Sequence, residues 1–133
     1  MKKTLLLFAL IFSFVVAKAD DYMRYAYRGT LANSTIEVCL NMGKVGFDYL
    51  WVGDSYARYP NTGGGRLTLK PKSNINSKTW VFYEYNSKGK KTGTWTVKQT
   101  NSGLTGSFTN AKTGKKYKVQ LYETNGDNWD WGW

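Results

Sequence analysis

The chain has no histidine, a single cysteine and only two prolines among its 133 residues. Without histidine it has no histidine-dependent triad, no imidazole metal site and no histidine proton shuttle. The lone thiol, Cys39, has no partner for an internal disulfide, so packing and hydrogen bonding must hold the fold. Negative charge is also scarce. Nine Asp and Glu stand against nineteen Lys and Arg, giving a formal net charge of +10. Helical periodicity is missing too: no segment repeats its apolar residues every 3.6 positions over the length a helix needs.

What is there begins with an export pattern. Lys2 and Lys3 precede an apolar run from Leu5 to Val16, followed by the small-x-small triplet Ala17-Lys18-Ala19. This predicts a cleavable secretory signal over residues 1–19. The run is shorter than the ~20 residues of a spanning helix, and Asp20-Asp21 follow at once. The expected product is one all-β domain, residues 20–133, in the bacterial periplasm or outside the cell, with no membrane-spanning helix left after cleavage.

The period in the remainder is two. From Thr92 to Glu123, Trp95 and Val97, then Leu104 and Phe108, then Tyr117, Val119 and Leu121 alternate with polar residues. This is the pattern of antiparallel strands with one wet face. The same alternation puts Tyr25 and Tyr27 opposite Arg24 and Arg28, and Ile36, Val38, Leu40 and Met42 opposite Glu37, Cys39 and Asn41. The second set is expected on the solvent face, where Cys39 is a small strand residue without chemistry. A turn is predicted at Gly43-Lys44, a strand over Val45–Val52, an irregular piece from Asp54 to Pro60 and a flexible loop at Asn61–Gly65, which includes three successive glycines. Those glycines do not form a phosphate-binding loop, because the strand Arg66–Leu69 follows where a helix would have to open. Trp80, Phe82 and Glu84 share one face of the next strand, and Val81, Tyr83 and Tyr85 the other. Eight or nine strands in meander order predict a small closed barrel, which removes exposed sheet edges. A β-sandwich is the alternative arrangement.

Tyr27-Arg-Gly-Thr-Leu, Thr92-Gly-Thr-Trp and Gly103-Leu-Thr-Gly-Ser-Phe-Thr-Asn give the chain a pattern that resembles the small secreted barrels of the lipocalin and avidin type. That resemblance implies a small barrel whose interior is filled by side chains or leaves room for one small ligand. The lipocalin Gly-x-Trp belongs to the first strand, whereas Gly93-Thr94-Trp95 comes late here, so no binding residue is carried over.

Two groups of residues are the candidate binding surface. Lys88, Lys90 and Lys91 lie at one turn, and Lys112, Lys115 and Lys116 at another. In a meander these turns are separated by one other, at Asn101–Gly103, and therefore belong to the same end of the sheet. Trp129, Trp131 and Trp133 follow the last strand and are expected to plug a barrel mouth or to anchor a partner. The expected partner is an acidic protein, an anionic glycan or a lipid headgroup, met by a binding or inhibitory module. Export makes nucleic acid less suitable. A small outer-membrane barrel is the second reading. A hydrolase using two of Glu37, Asp48, Asp54 and Glu84 is the third. No residues have metal-ligand spacing, and no cofactor is expected.

Overall fold

Nine β-strands follow one another in a computed structural model that describes residues 22–63, 65–126 and 129. They are β1 (Tyr22–Leu31), β2 (Ser34–Val45), β3 (Asp48–Trp51), β4 (Ser55–Arg58), β5 (Leu67–Pro71), β6 (Thr79–Tyr85), β7 (Lys91–Gln99), β8 (Gly103–Asn110) and β9 (Lys116–Thr124). All pairings are antiparallel, and β1 pairs with both β2 and β9. The meander thus closes into an eight-strand barrel with one extra strand, β3. At the level of fold this is consistent with a calycin-like barrel. The predicted signal segment lies outside the described residues.

The extra strand arises because β2 is long. Its end, Met42–Val45, pairs with β3, while Glu37–Cys39 pair with β4. Between them the chain breaks step opposite Asn41, whose backbone N–H donates to Ser55 Oγ at 3.0 Å and whose Nδ2 donates to the Asp54 carbonyl at 2.8 Å. The expected turn at Gly43-Lys44 is instead at Gly46-Phe47. Val45 pairs with Asp48, leaving a two-residue hairpin with Gly46 at φ +63. A glycine in the first central position suits such a turn.

The apolar phase of each strand points inward. Leu40, Trp95, Phe108 and Val119 are all buried in one core with Ile36, Leu69, Phe82, Leu104 and Leu121. The Trp95 and Phe108 rings meet edge to face, with centroids 5.8 Å apart. Phe108 also presses on Gly93, where a Cβ would lie 2.2 Å from the ring. The interior is therefore filled with side chains, the usual state of an eight-strand barrel.

The outer phase of β2 corrects an expectation. Glu37, Cys39 and Asn41 do have the phase read from the sequence, but they are buried, with Glu37 and Cys39 only 1% exposed. Glu37 lies directly opposite Arg28 on one side and Arg58 on the other. It receives the Arg28 Nη2 at 2.7 Å and the Arg58 Nε at 2.8 Å. Cys39 lies opposite Ala26 and Tyr56. Beyond β9, Gly126 and Trp129 lie on this outer face: a Cβ on Gly126 would lie 2.7 Å from that of Ala26, and the Trp129 ring centroid is 6.0 Å from the Arg58 guanidinium.

Candidate functional site

The barrel has two unlike ends. One, here the rim, holds the turns β1–β2, β4–β5, β6–β7 and β8–β9; the other, the mouth, holds β2–β3, β5–β6 and β7–β8. The two lysine turns therefore share the rim, together with Arg66 of the β4–β5 connection. They are built alike. Asn86 Oδ1 accepts from the backbone N–H of Lys88 and Lys90, and Gly89 takes φ +80. Asn110 Oδ1 accepts from the N–H of Lys112 and Thr113, and Gly114 takes φ +73. A bond from the Ala111 N–H to the Thr92 carbonyl, 3.0 Å, ties the second turn to the strand leaving the first. Lys88, Lys90, Lys112, Lys115 and Lys116 are exposed. Lys91 is not a free turn lysine. It begins β7, is half-buried, and holds its Nζ 3.5 Å from the Tyr83 ring centroid.

Carboxylates near the rim are neutralised or hidden. Glu37 is clasped by its two arginines, Asp54 pairs with Lys70 at 3.3 Å, and Glu84 points into the barrel. Glu84 Oε1 accepts from Thr92 Oγ1 at 2.7 Å and Oε2 from Trp95 Nε1 at 2.9 Å. A register shift between β6 and β7 frees Thr92 for this: Glu84 pairs with Gly93 and Tyr85 with Lys91, leaving Thr92 between them. Burial raises the Glu84 pKa, against the lowering effect of both hydrogen bonds. Burial, with Glu84 adding to it, also pushes the Tyr59 phenol up to about 12.

From the rim a basic and aromatic surface runs down the outside of β4, β5 and β6. Arg66 stacks over Tyr56 at 4.0 Å, Lys72 approaches Tyr83 at 5.1 Å and Lys70 approaches Tyr85 at 5.8 Å. The sequence reading missed this surface. Its signal is Tyr83 and Tyr85 in the outer phase of β6, facing Lys70 and Thr68 on β5.

The mouth has the opposite character. It contains a cavity of about 320 Å³ lined by Tyr25, Tyr27, Met42, Tyr49, Trp80 and Glu123, among others. The β5–β6 connection covers one side, held by the indoles of Trp51, donating to the Ser73 carbonyl, and of Trp80, donating to that of Ile75. The large apolar side chains that stand exposed are here too: Val45, Phe47 and Tyr49 on the β2–β3 hairpin, and Tyr122. Phe47, at the hairpin tip, is 97% exposed. Sequence reading missed this cavity because Ile75 sits in a connection that is otherwise polar.

The tryptophan group of candidate residues divides. Trp129 lies against the outside of the sheet near Arg58 and is half-buried, not in a mouth; Trp131 and Trp133 lie outside the described residues. The four carboxylates considered for hydrolysis do not converge. Glu84 is inside the barrel, Glu37 outside it, Asp48 at the hairpin and Asp54 beside Lys70. Among the described residues no group of three or more acidic or Cys side chains could hold a metal ion. The Cys39 thiol is pushed up to about 11 by burial, with Arg24 opposing. No helix among the described residues is long and apolar enough to cross a membrane. Comparison of the chain with protein-family models, with curated proteins and with solved structures returned no match.

Proposed function

We propose that this protein is an exported, non-catalytic binding module that docks an anionic glycan on its lysine rim and on the adjoining outer face of β4–β6. One observation carries the reading. The rim gathers Arg66, Lys88, Lys90, Lys112, Lys115 and Lys116, and among the described residues no carboxylate there is both exposed and unpaired. Such a surface produces a one-signed field that reaches roughly a Debye length, ~8 Å at physiological salt. The tyrosines below it offer flat rings beside cations, a combination suited to sugar rings that carry sulfate or carboxylate groups.

A glycan fits this end better than a lipid headgroup, because Val45, Phe47, Tyr49 and Tyr122 all lie toward the mouth rather than the rim. The outer-membrane reading fits the side chains poorly: this barrel is apolar inside and charged outside, the reverse of a lipid-facing band. The likeness to lipocalin and avidin barrels supports binding through the shared shape, while the binding residues argued here are this chain's own.

The test is binding to a sulfated polysaccharide at several salt concentrations. Affinity should fall steeply as salt rises. The variant Lys88→Glu, Lys90→Glu, Lys112→Glu and Lys115→Glu should lose at least about tenfold in affinity while unfolding at the parent midpoint. If that variant binds as well as the parent at low salt, the rim is only a solvated edge.

A further inference from the structure

The mouth cavity lies at the far end of the barrel from the lysine rim, and its chemistry has the opposite sign. Four aromatic residues line it: Tyr25, Tyr27, Tyr49 and Trp80. Met42 adds a polarizable thioether, and Glu123 adds a carboxylate. No Lys or Arg is among the lining residues, in a chain that carries nineteen of them.

Backbone register explains how the carboxylate reaches the aromatic groups. Tyr27 on β1 and Glu123 on β9 are direct cross-strand partners, both in the inward phase. The Glu123 side chain is exposed, and its carboxylate takes part in no ion pair or hydrogen bond among the described residues. Burial raises the Tyr27 pKa, and the neighbouring Glu123 carboxylate adds to that rise. The lining itself thus carries a carboxylate beside Tyr27. A second anion would meet that charge with no Lys or Arg in the lining to offset it, whereas a positive group would be held by it. Near the entrance, a cation already rests on one of these rings: Lys44 Nζ is 5.6 Å from the Tyr49 centroid.

We propose that the mouth is a binding site for a small organic cation with an apolar surround, of the quaternary-ammonium class. Aromatic side chains with a nearby carboxylate are the usual means of holding such a group, because its charge is spread over methyls and it needs no hydrogen bonds. The volume, about 320 Å³, suits a small ligand rather than a lipid chain. Trp80 is fixed for the role, its Nε1 donating to the Ile75 carbonyl at 2.9 Å while its ring packs against Trp51 with centroids 4.9 Å apart.

Choline is the probe, and neohexanol, its uncharged carbon isostere, is the control. Both are titrated into the full protein and followed by amide and indole NMR signals. Choline should shift the signals of Ile75 and the Trp80 indole saturably, and neohexanol should bind at least about tenfold more weakly. Glu123→Gln, at an exposed position that leaves the core intact, should weaken choline by about tenfold and bring the two ligands close together. Tyr25→Leu, which keeps an apolar side chain at the lining, should weaken choline more than neohexanol. Equal binding of the two ligands would overturn the proposal, as would a response to choline unchanged in Glu123→Gln. The absence of any saturable shift at the mouth would overturn it as well.

Discussion

Glu84 has no cation beside it among the described residues, although it is only 3% exposed. Its two acceptor oxygens are satisfied by Thr92 and Trp95, which keeps a buried carboxyl tolerable. With its pKa raised above the ordinary 4.5, the folded state binds this proton more tightly than the unfolded chain does. The contribution of Glu84 to stability is therefore fully present below pH 4.5 and is lost as pH rises through the folded-state value. Glu84→Gln should remove that loss, since its amide can accept from Trp95 and donate to Thr92. In denaturant unfolding the variant should gain on the order of 1 kcal/mol over the parent at neutral pH, and little or nothing at pH 4. A variant less stable than the parent at both pH values would show that the carboxylate is needed as such. The phase of Glu84 was legible in the sequence beside Trp80 and Phe82; its environment was not, because a strand pattern gives the face and not the neighbours. Glu37 and Cys39 teach the same lesson from the other face. Their phase was read correctly, but Glu37 is clasped by Arg28 and Arg58, and Cys39 lies between Ala26 and Tyr56, neighbours from other strands that no local pattern announces.

At the scale of elements, two hairpins differ in what their glycines do. In β2–β3, Gly46 supplies a positive φ at the tip, and Phe47 beside it touches almost nothing. The sequence reading placed this turn at Gly43-Lys44 and put Phe47 in the strand that follows, alternating with Asp48 alongside Tyr49 and Trp51. Yet Gly43 is a buried strand residue paired with Tyr22 and Leu50. Phe47→Ser should therefore leave the unfolding free energy within about 0.5 kcal/mol of the parent. In β7–β8 the glycine is structural in another way. Gly93 leaves room for the Phe108 ring, which a Cβ would approach to 2.2 Å. Gly93→Ala should push that ring off Trp95 and cost about 1–3 kcal/mol, the range of an overpacked core. Chemical denaturation of both variants checks the pair. A costly Phe47→Ser or a neutral Gly93→Ala would mean that the two hairpins are packed differently. Alternation made these strands legible, while turn position and close approach depend on contacts between strands.

Across the whole molecule, the meander sorts charge by parity. Alternate turns reach the same end, so the lysine turns meet at the rim, and this much could be counted from the sequence. The mouth could not, since Tyr27 and Glu123 are nearly a hundred positions apart and meet only through closure of β1 on β9. The same closure decides what the residues after Thr124 can do. Every pairing of β9 with β1 and β8 is made by residues up to Thr124, so the barrel closes without the segment that follows. Of the residues that follow, Gly126 lies against Ala26, which is opposite Cys39, and Trp129 lies near Arg58 on the same outer face. A chain truncated after Thr124 should stay folded, with a cooperative unfolding transition and the parent's strand signature in circular dichroism. Its Cys39 should react with a thiol reagent markedly faster than in the full chain if Gly126, against Ala26, contributes to the burial that raises the thiol's pKa to about 11. Slow reaction in the truncated but folded protein would assign the covering of Cys39 to its strand neighbours, Ala26 and Tyr56, instead. Loss of the cooperative transition would make the last residues part of what holds the barrel closed.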